Sequence, residues 1–221
     1  MRFISAAGLV LAGLVLAACQ TNDLKQPPVP LGNFALGVNV AITDKMQVPG
    51  ISRQVTPEVM DAAITSAIEA RFGEARYQGA KLFNIGVFVD GYLLAPPGIP
   101  IVLSPSSVMI VTLNVFDDAT GKKLNPGGTQ MTVVEKGSAD TLIGSGLTQT
   151  KEKQLETLAY NVAKRIEIFL LENHQWLGMT KEQADAALAQ ANGTAPPPVD
   201  AASLAAKTPP AAAATAASVA N

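Results

Sequence analysis

Leu155, Leu158, Val162, Ile166, Phe169 and Leu170 recur at three- and four-residue intervals and line one side of a predicted helix over 148–172. A helix alone in water is marginal, so a stripe this long has to be covered by other parts of the chain. Extended structure is what the chain offers as cover. Over 33–42, Phe34, Leu36, Val38, Val40 and Ile42 alternate with small or polar residues. Period two predicts a half-buried strand with those five side chains on one face. A second strand is expected over 81–94, with Phe83, Ile85, Val87 and Val89 on one side. A third, over 108–116, is apolar on nearly both faces, as a central strand is. A fourth, over 122–135, is bent or bulged at Pro126-Gly127-Gly128.

Helix signals fill the remaining places. Thr56-Pro57-Glu58 supplies an N-cap, a proline at the first helical position and an acid in the first turn. Met60, Ile64, Ile68 and Phe72 follow at helical spacing, and Gly73 gives the stop. Thr180-Lys181-Glu182-Gln183 is a capping box that opens a short helix to about residue 190. The order is β-α-β-β-β-α. It predicts an α+β domain over 33–191, with a three- to four-stranded, mainly antiparallel sheet, two helices on one face and a short C-terminal helix.

The flanks differ in kind. From 192 to 221 the chain is dominated by Ala and Pro with Thr and Ser, and two proline clusters interrupt it. Such a segment buries too little apolar surface to offset its ordering entropy, and a disordered tail is expected. Residues 20–32, with Pro27, Pro28 and Pro30, read as a linker. At the start, Arg2 precedes a run of apolar residues that ends at polar Gln20-Thr21-Asn22-Asp23. A run this short, closed by small residues, has the form of a secretory signal and falls short of the roughly 20 residues of a spanning helix.

Cys19 is the one cysteine of 221 residues. No disulfide can form within the chain, and stability must come from a packed core. Leu16-Ala17-Ala18-Cys19 resembles the lipobox of bacterial lipoproteins. That resemblance implies cleavage between Ala18 and Cys19, a diacylglyceryl group on the thiol and an acyl chain on the new amine. No other cofactor is expected. The alternative reading is an ordinary secretory signal that holds a cysteine. Gln20 after the cysteine, where an aspartate would signal inner-membrane retention in enteric bacteria, implies the outer membrane, with the domain in the periplasm.

The domain itself resembles a broad class of envelope lipoproteins over about residues 33–172. That class includes the periplasmic domain of the curli-secretion lipoprotein and auxiliary lipoproteins of ABC-type transporters. The residues that carry the likeness are VMIVTLNVFDDATGKKL, 108–124, and the long closing helix. Membership implies a non-enzymatic, accessory or structural role beside an envelope assembly, transport or secretion system, through an envelope protein partner. The segment 95–106 is too short for a membrane-spanning hairpin, and no pore is implied. A periplasmic binder of a lipid or glycan is the second reading. With 16 Lys and Arg against 18 Asp and Glu, the charge balance gives no case for nucleic acid.

Several stretches carry residue types that a site would need. Leu93, Leu94, Ile99, Ile101, Val102 and Leu103 lie among four prolines, and an exposed apolar loop there would be a partner-contact surface. The competing expectation is that the stretch folds back over the sheet or adds an edge strand. Asp117 and Asp118, with Gly121 close behind, read as a solvated turn. The glycine-dotted segment 137–146 lacks the Gly-Lys-Ser/Thr ending of a phosphate loop. His174 and Trp176 are expected to cap and pack the end of the long helix. No set of residues announces catalysis or a metal, so no enzyme is expected.

Overall fold

In the computed structural model the described residues are 23–97, 106–135 and 149–193. They form β1 (Phe34–Ile42), α1 (Pro57–Phe72), β2 (Lys81–Leu93), β3 (Val108–Asp117), β4 (Lys122–Lys123), β5 (Thr129–Val134), α2 (Lys151–Glu172) and α3 (Lys181–Asn192). Two 3-10 turns, Asp23–Lys25 and His174–Leu177, complete the set. The class is α+β, with a mixed open sheet in the order β1-β2-β3, and β4 and β5 sharing the far edge of β3. The other three pairings are antiparallel, but β1 and β2 run parallel. A parallel pair needs a crossover, and α1 supplies it.

The caps follow the local chemistry. Thr56 and Thr150 accept hydrogen bonds from the backbones of Val59 and Lys153, and Thr180 and Gln183 bond reciprocally as a capping box. Both helices cover one face of the sheet. Phe83, Ile85, Val87 and Val89 of β2 meet Met109, Val111, Leu113 and Val115 of β3 in a core with Ile64, Ile68, Leu158 and Val162. Phe34 stacks on Phe83 with ring centroids 5.3 Å apart. The predicted fourth strand is two strands. Where Pro126-Gly127-Gly128 leaves the ladder, the Asn125 side chain takes over the pairing, accepting from Val115 N and donating to the Leu113 carbonyl.

Two expectations need correction. Phe34 and Leu36 face the core side, but Val38, Val40 and Ile42 do not; they are 60%, 44% and 37% exposed. Leu36 pairs with Phe83, yet Asn39 pairs with Ile85, so two residues of β1 oppose one of β2. This bulge reverses the alternation and brings Asn39 and Ala41 to the helix side. The expected linker is also packed from Asp23 onward. Val29 and Leu31 belong to the core, and Gly32 turns the chain with φ 56° so that Asn33 N–H reaches the Leu177 carbonyl. An added Cβ at Gly32 would lie 2.5 Å from that carbonyl oxygen.

Candidate functional site

The residues expected to contact a partner separate on folding. Leu94 is fully buried; its N–H donates to Ser52 Oγ and its carbonyl accepts from Arg53 N–H. Leu93 is half-buried. Leu94 is therefore core, because the end of β2 is clamped to the segment before α1. Ile99, Ile101, Val102 and Leu103 lie outside the described residues, as do Ala18, Cys19, the segment 137–146 and the tail from 194.

Asp117 and Asp118 do form a turn, with Thr120 N–H and Oγ bonded to Asp117 and Gly121 at φ 63°. Asp117 is nevertheless buried, and Lys81 Nζ stands 2.7 Å from its carboxylate. The bonds from Lys81 and Thr120 hold its carboxyl below the usual carboxylate range. Asp118 accepts from Asn84 on the other side of the sheet, so the two acids share no cleft. His174 Nδ1 lies 3.0 Å from the Met179 carbonyl, and Trp176 meets Phe169 edge-on, which closes the end of α2.

Two further features stand out among the described residues. One is the open face of the sheet. Val38, Val40 and Ile42 on β1, Phe88 on β2 and Ile110 on β3 are all exposed there. Ile42 is level with Phe88, while Val40 is level with Gly86, whose missing side chain leaves a dent between strands. The same face carries Asp90 bonded to Thr112 and Gln130, as a face left to water usually does, so its apolar strip is concentrated on β1 and Phe88.

The other is a cluster of four buried charges. Asp23 receives Arg71 at 2.8 Å and Lys164 at 2.8 Å; Glu167 receives Lys164 at 2.6 Å and Arg71 at 3.3 Å. Tyr160 donates to Asp23, and Arg71 lies over the Tyr160 ring at 4.9 Å. Arg71 and Lys164 are 1% and 0% exposed, Asp23 6% and Glu167 0%. Two cations and two anions balance, which is what makes burial tolerable. Burial alone would raise the Asp23 pKa, but hydrogen bonds from Arg71, Lys164 and Tyr160 outweigh it and hold the carboxyl far below its ordinary value. Burial likewise pushes the Tyr160 phenol up, aided by Asp23.

The linker reading concealed this cluster. Asp23 ends a polar run, and Lys164 stands beside Arg165 in a helix. The legible signal was Arg71, which falls three residues after Ile68 and seven after Ile64, on the apolar stripe of α1. A cation there must find buried partners. A small cleft beside the cluster is lined by Asp23, Gln26, Pro27, Val29, Arg71, Arg76, Glu167 and Gln190. It falls far short of the roughly 300 Å³ that a bound lipid or glycan needs. Glu135, after β5, is 3% exposed with neither carboxylate oxygen hydrogen-bonded, but one lone acid builds no site. Among the described residues no three His, Cys, Asp or Glu are placed to share a metal, and no helix is long and apolar enough to cross a membrane.

Among the described residues, fold and site define a two-layer α+β domain with an apolar strip on its open sheet face and an N-terminal segment locked into its helix layer. No family model matches the sequence, and neither does any curated protein. Among solved structures, the chain is similar to a candidate lipoprotein from Caulobacter crescentus CB15, at 12% identity and TM-score 0.35, over 63% of this chain and 90% of that one. It is similar to a Xanthomonas campestris protein of family DUF330, at 12% identity and TM-score 0.37, over 68% and 92%. A third is the PelC dodecamer from Paraburkholderia phytofirmans, at 12% identity and TM-score 0.34, over 62% and 89%. These are loose likenesses of shape, and the architecture above rests on its own hydrogen bonds and burial.

Proposed function

We propose that this chain is a lipid-anchored, non-enzymatic protein of the cell envelope, attached through Cys19 and acting as an accessory partner in an envelope assembly, transport or secretion system. The observation that carries the anchor is the sequence Leu-Ala-Ala-Cys followed four residues later by a docked aspartate. In this reading a signal ends at Ala18 and the folded domain begins almost at once. Several acyl chains hold far more firmly than one, since each buried methylene is worth about 0.8 kcal/mol. The open sheet face supplies a surface for an envelope protein partner, and buried Leu94 is no part of such a surface. Gln20 favours the outer membrane, with the domain in the periplasm.

Intact mass spectrometry of the purified membrane protein tests the anchor. The expected mass starts at Cys19 and includes a diacylglyceryl group and an N-acyl chain, and Cys19→Ser leaves the chain unprocessed. A mature protein that starts elsewhere, or carries no acyl mass, ends this reading.

A further inference from the structure

Asp23 lies four positions after Cys19, a span of about 14 Å at full extension. Asp23 is not the end of a free linker. It is held by Arg71 of α1 and by Lys164 and Tyr160 of α2, at the margin of the cleft that Gln26 and Gln190 also line. Arg76 ties the same segment down by donating to the carbonyls of Leu24 and Gln26. Any group fixed at residue 19 is thereby confined to one pole of the domain, built by the 3-10 turn at Asp23–Lys25, the end of α1 and the last turn of α3.

We infer that this pole is the bilayer-facing surface of the protein, and that the buried charge cluster fixes the orientation of the domain on the membrane. The inference rests on lipidation of Cys19 as proposed above. Arg71, Tyr160 and Lys164, which hold the Asp23 side chain, come from the helix layer, whereas Val38, Val40, Ile42, Phe88 and Ile110 project from the opposite side of the sheet. The sheet stands between the lipid and its own apolar face. That face is turned away from the bilayer, free for a partner, and a flexible tether of the length expected for 20–32 would have imposed no such choice.

The test uses the full, lipidated chain in nanodiscs of phosphatidylethanolamine and phosphatidylglycerol that contain a lipid with a spin-labelled headgroup. Because Cys19 carries the lipid, a fluorophore attaches only to an introduced thiol, at Gln26→Cys, Gln190→Cys or Val40→Cys. Quenching by the headgroup label is expected to be at least threefold stronger at positions 26 and 190 than at 40. An insertion of eight Gly/Ser residues after Gln20, which leaves the cluster and the thermal midpoint unchanged, is expected to erase that difference. Equal quenching at the three positions in the chain without insertion, with the acyl mass present, overturns this inference alone. A chain without the acyl mass overturns the anchor and the orientation together.

Discussion

The side-chain oxygen of Asn84 accepts the backbone N–H of Val38 at 2.7 Å, while its amide nitrogen donates to Asp118 at 2.8 Å. One side chain thus satisfies the bulge in β1 and links it to the turn after β3. Gly37 makes room for it, since a Cβ there would sit 2.3 Å from the Asn84 oxygen. Gly37→Ala is expected to cost about 1–3 kcal/mol through this clash, and Asn84→Ala about 1 kcal/mol through the lost bond. The double variant should be less destabilised than the sum of the two, because the second change removes what the first collides with. Urea denaturation of the four forms measures this, and strict additivity would dismiss the contact.

Asp23→Ala leaves Arg71 and Lys164 buried with half their counter-charge. Removing one member of a buried ion pair costs about 3–5 kcal/mol, and the thermal midpoint should fall accordingly. Lys164→Met combined with Glu167→Leu, which removes a cation and an anion together, should cost less than Lys164→Met alone. If the single and double changes proved equally mild, the four charges would not be acting as a unit.

Acid should weaken the fold through the same residue. The folded-state pKa of Asp23 is depressed, so at low pH the unfolded chain binds the proton more readily. The stability Asp23 contributes is complete above the ordinary carboxylate value, about 3.9, and declines as pH falls below it. Unfolding free energy measured between pH 6 and pH 2.5 should drop, and Asp23→Asn should flatten that slope. An identical slope in the variant would place the acid sensitivity elsewhere.

Val40→Thr and Phe88→Thr change exposed positions on the open sheet face. Stability should shift by no more than about 0.5 kcal/mol each. Crosslinking to a partner in native membranes should fall by severalfold if that face is the interface. Unchanged crosslinking with both substitutions present would move the interface to another surface.

Much of this fold was legible because its local and long-range signals agree. Thr56-Pro57, Thr150 and the box at Thr180 set the helix starts, and the alternation in β2 named its buried face correctly. Strand β1 was misread for a physical reason. Period-two reasoning assumes an unbroken pleat, and the bulge beside Gly37 is fixed by Asn84, a residue far along the chain. The parallel pairing of β1 with β2 was equally hidden, since alternation does not encode strand direction. Of the charge cluster only Arg71 is legible, on the apolar stripe of α1, because residues 20–32 read as a polar, proline-rich connector, whereas tertiary partners decide whether such a segment docks.

The meeting of Asp23 with Lys164 also orders events in time. The two are 141 positions apart, so although Arg71 and Arg76 are made earlier, the ion pair that joins the amino-terminal segment to α2 cannot close until nearly the whole domain has been made. Contacts this distant close late in folding. The arrival of α2 then adds Lys164 and Tyr160 to Arg71 around Asp23, and one of the first segments made is among the last to be fully fixed.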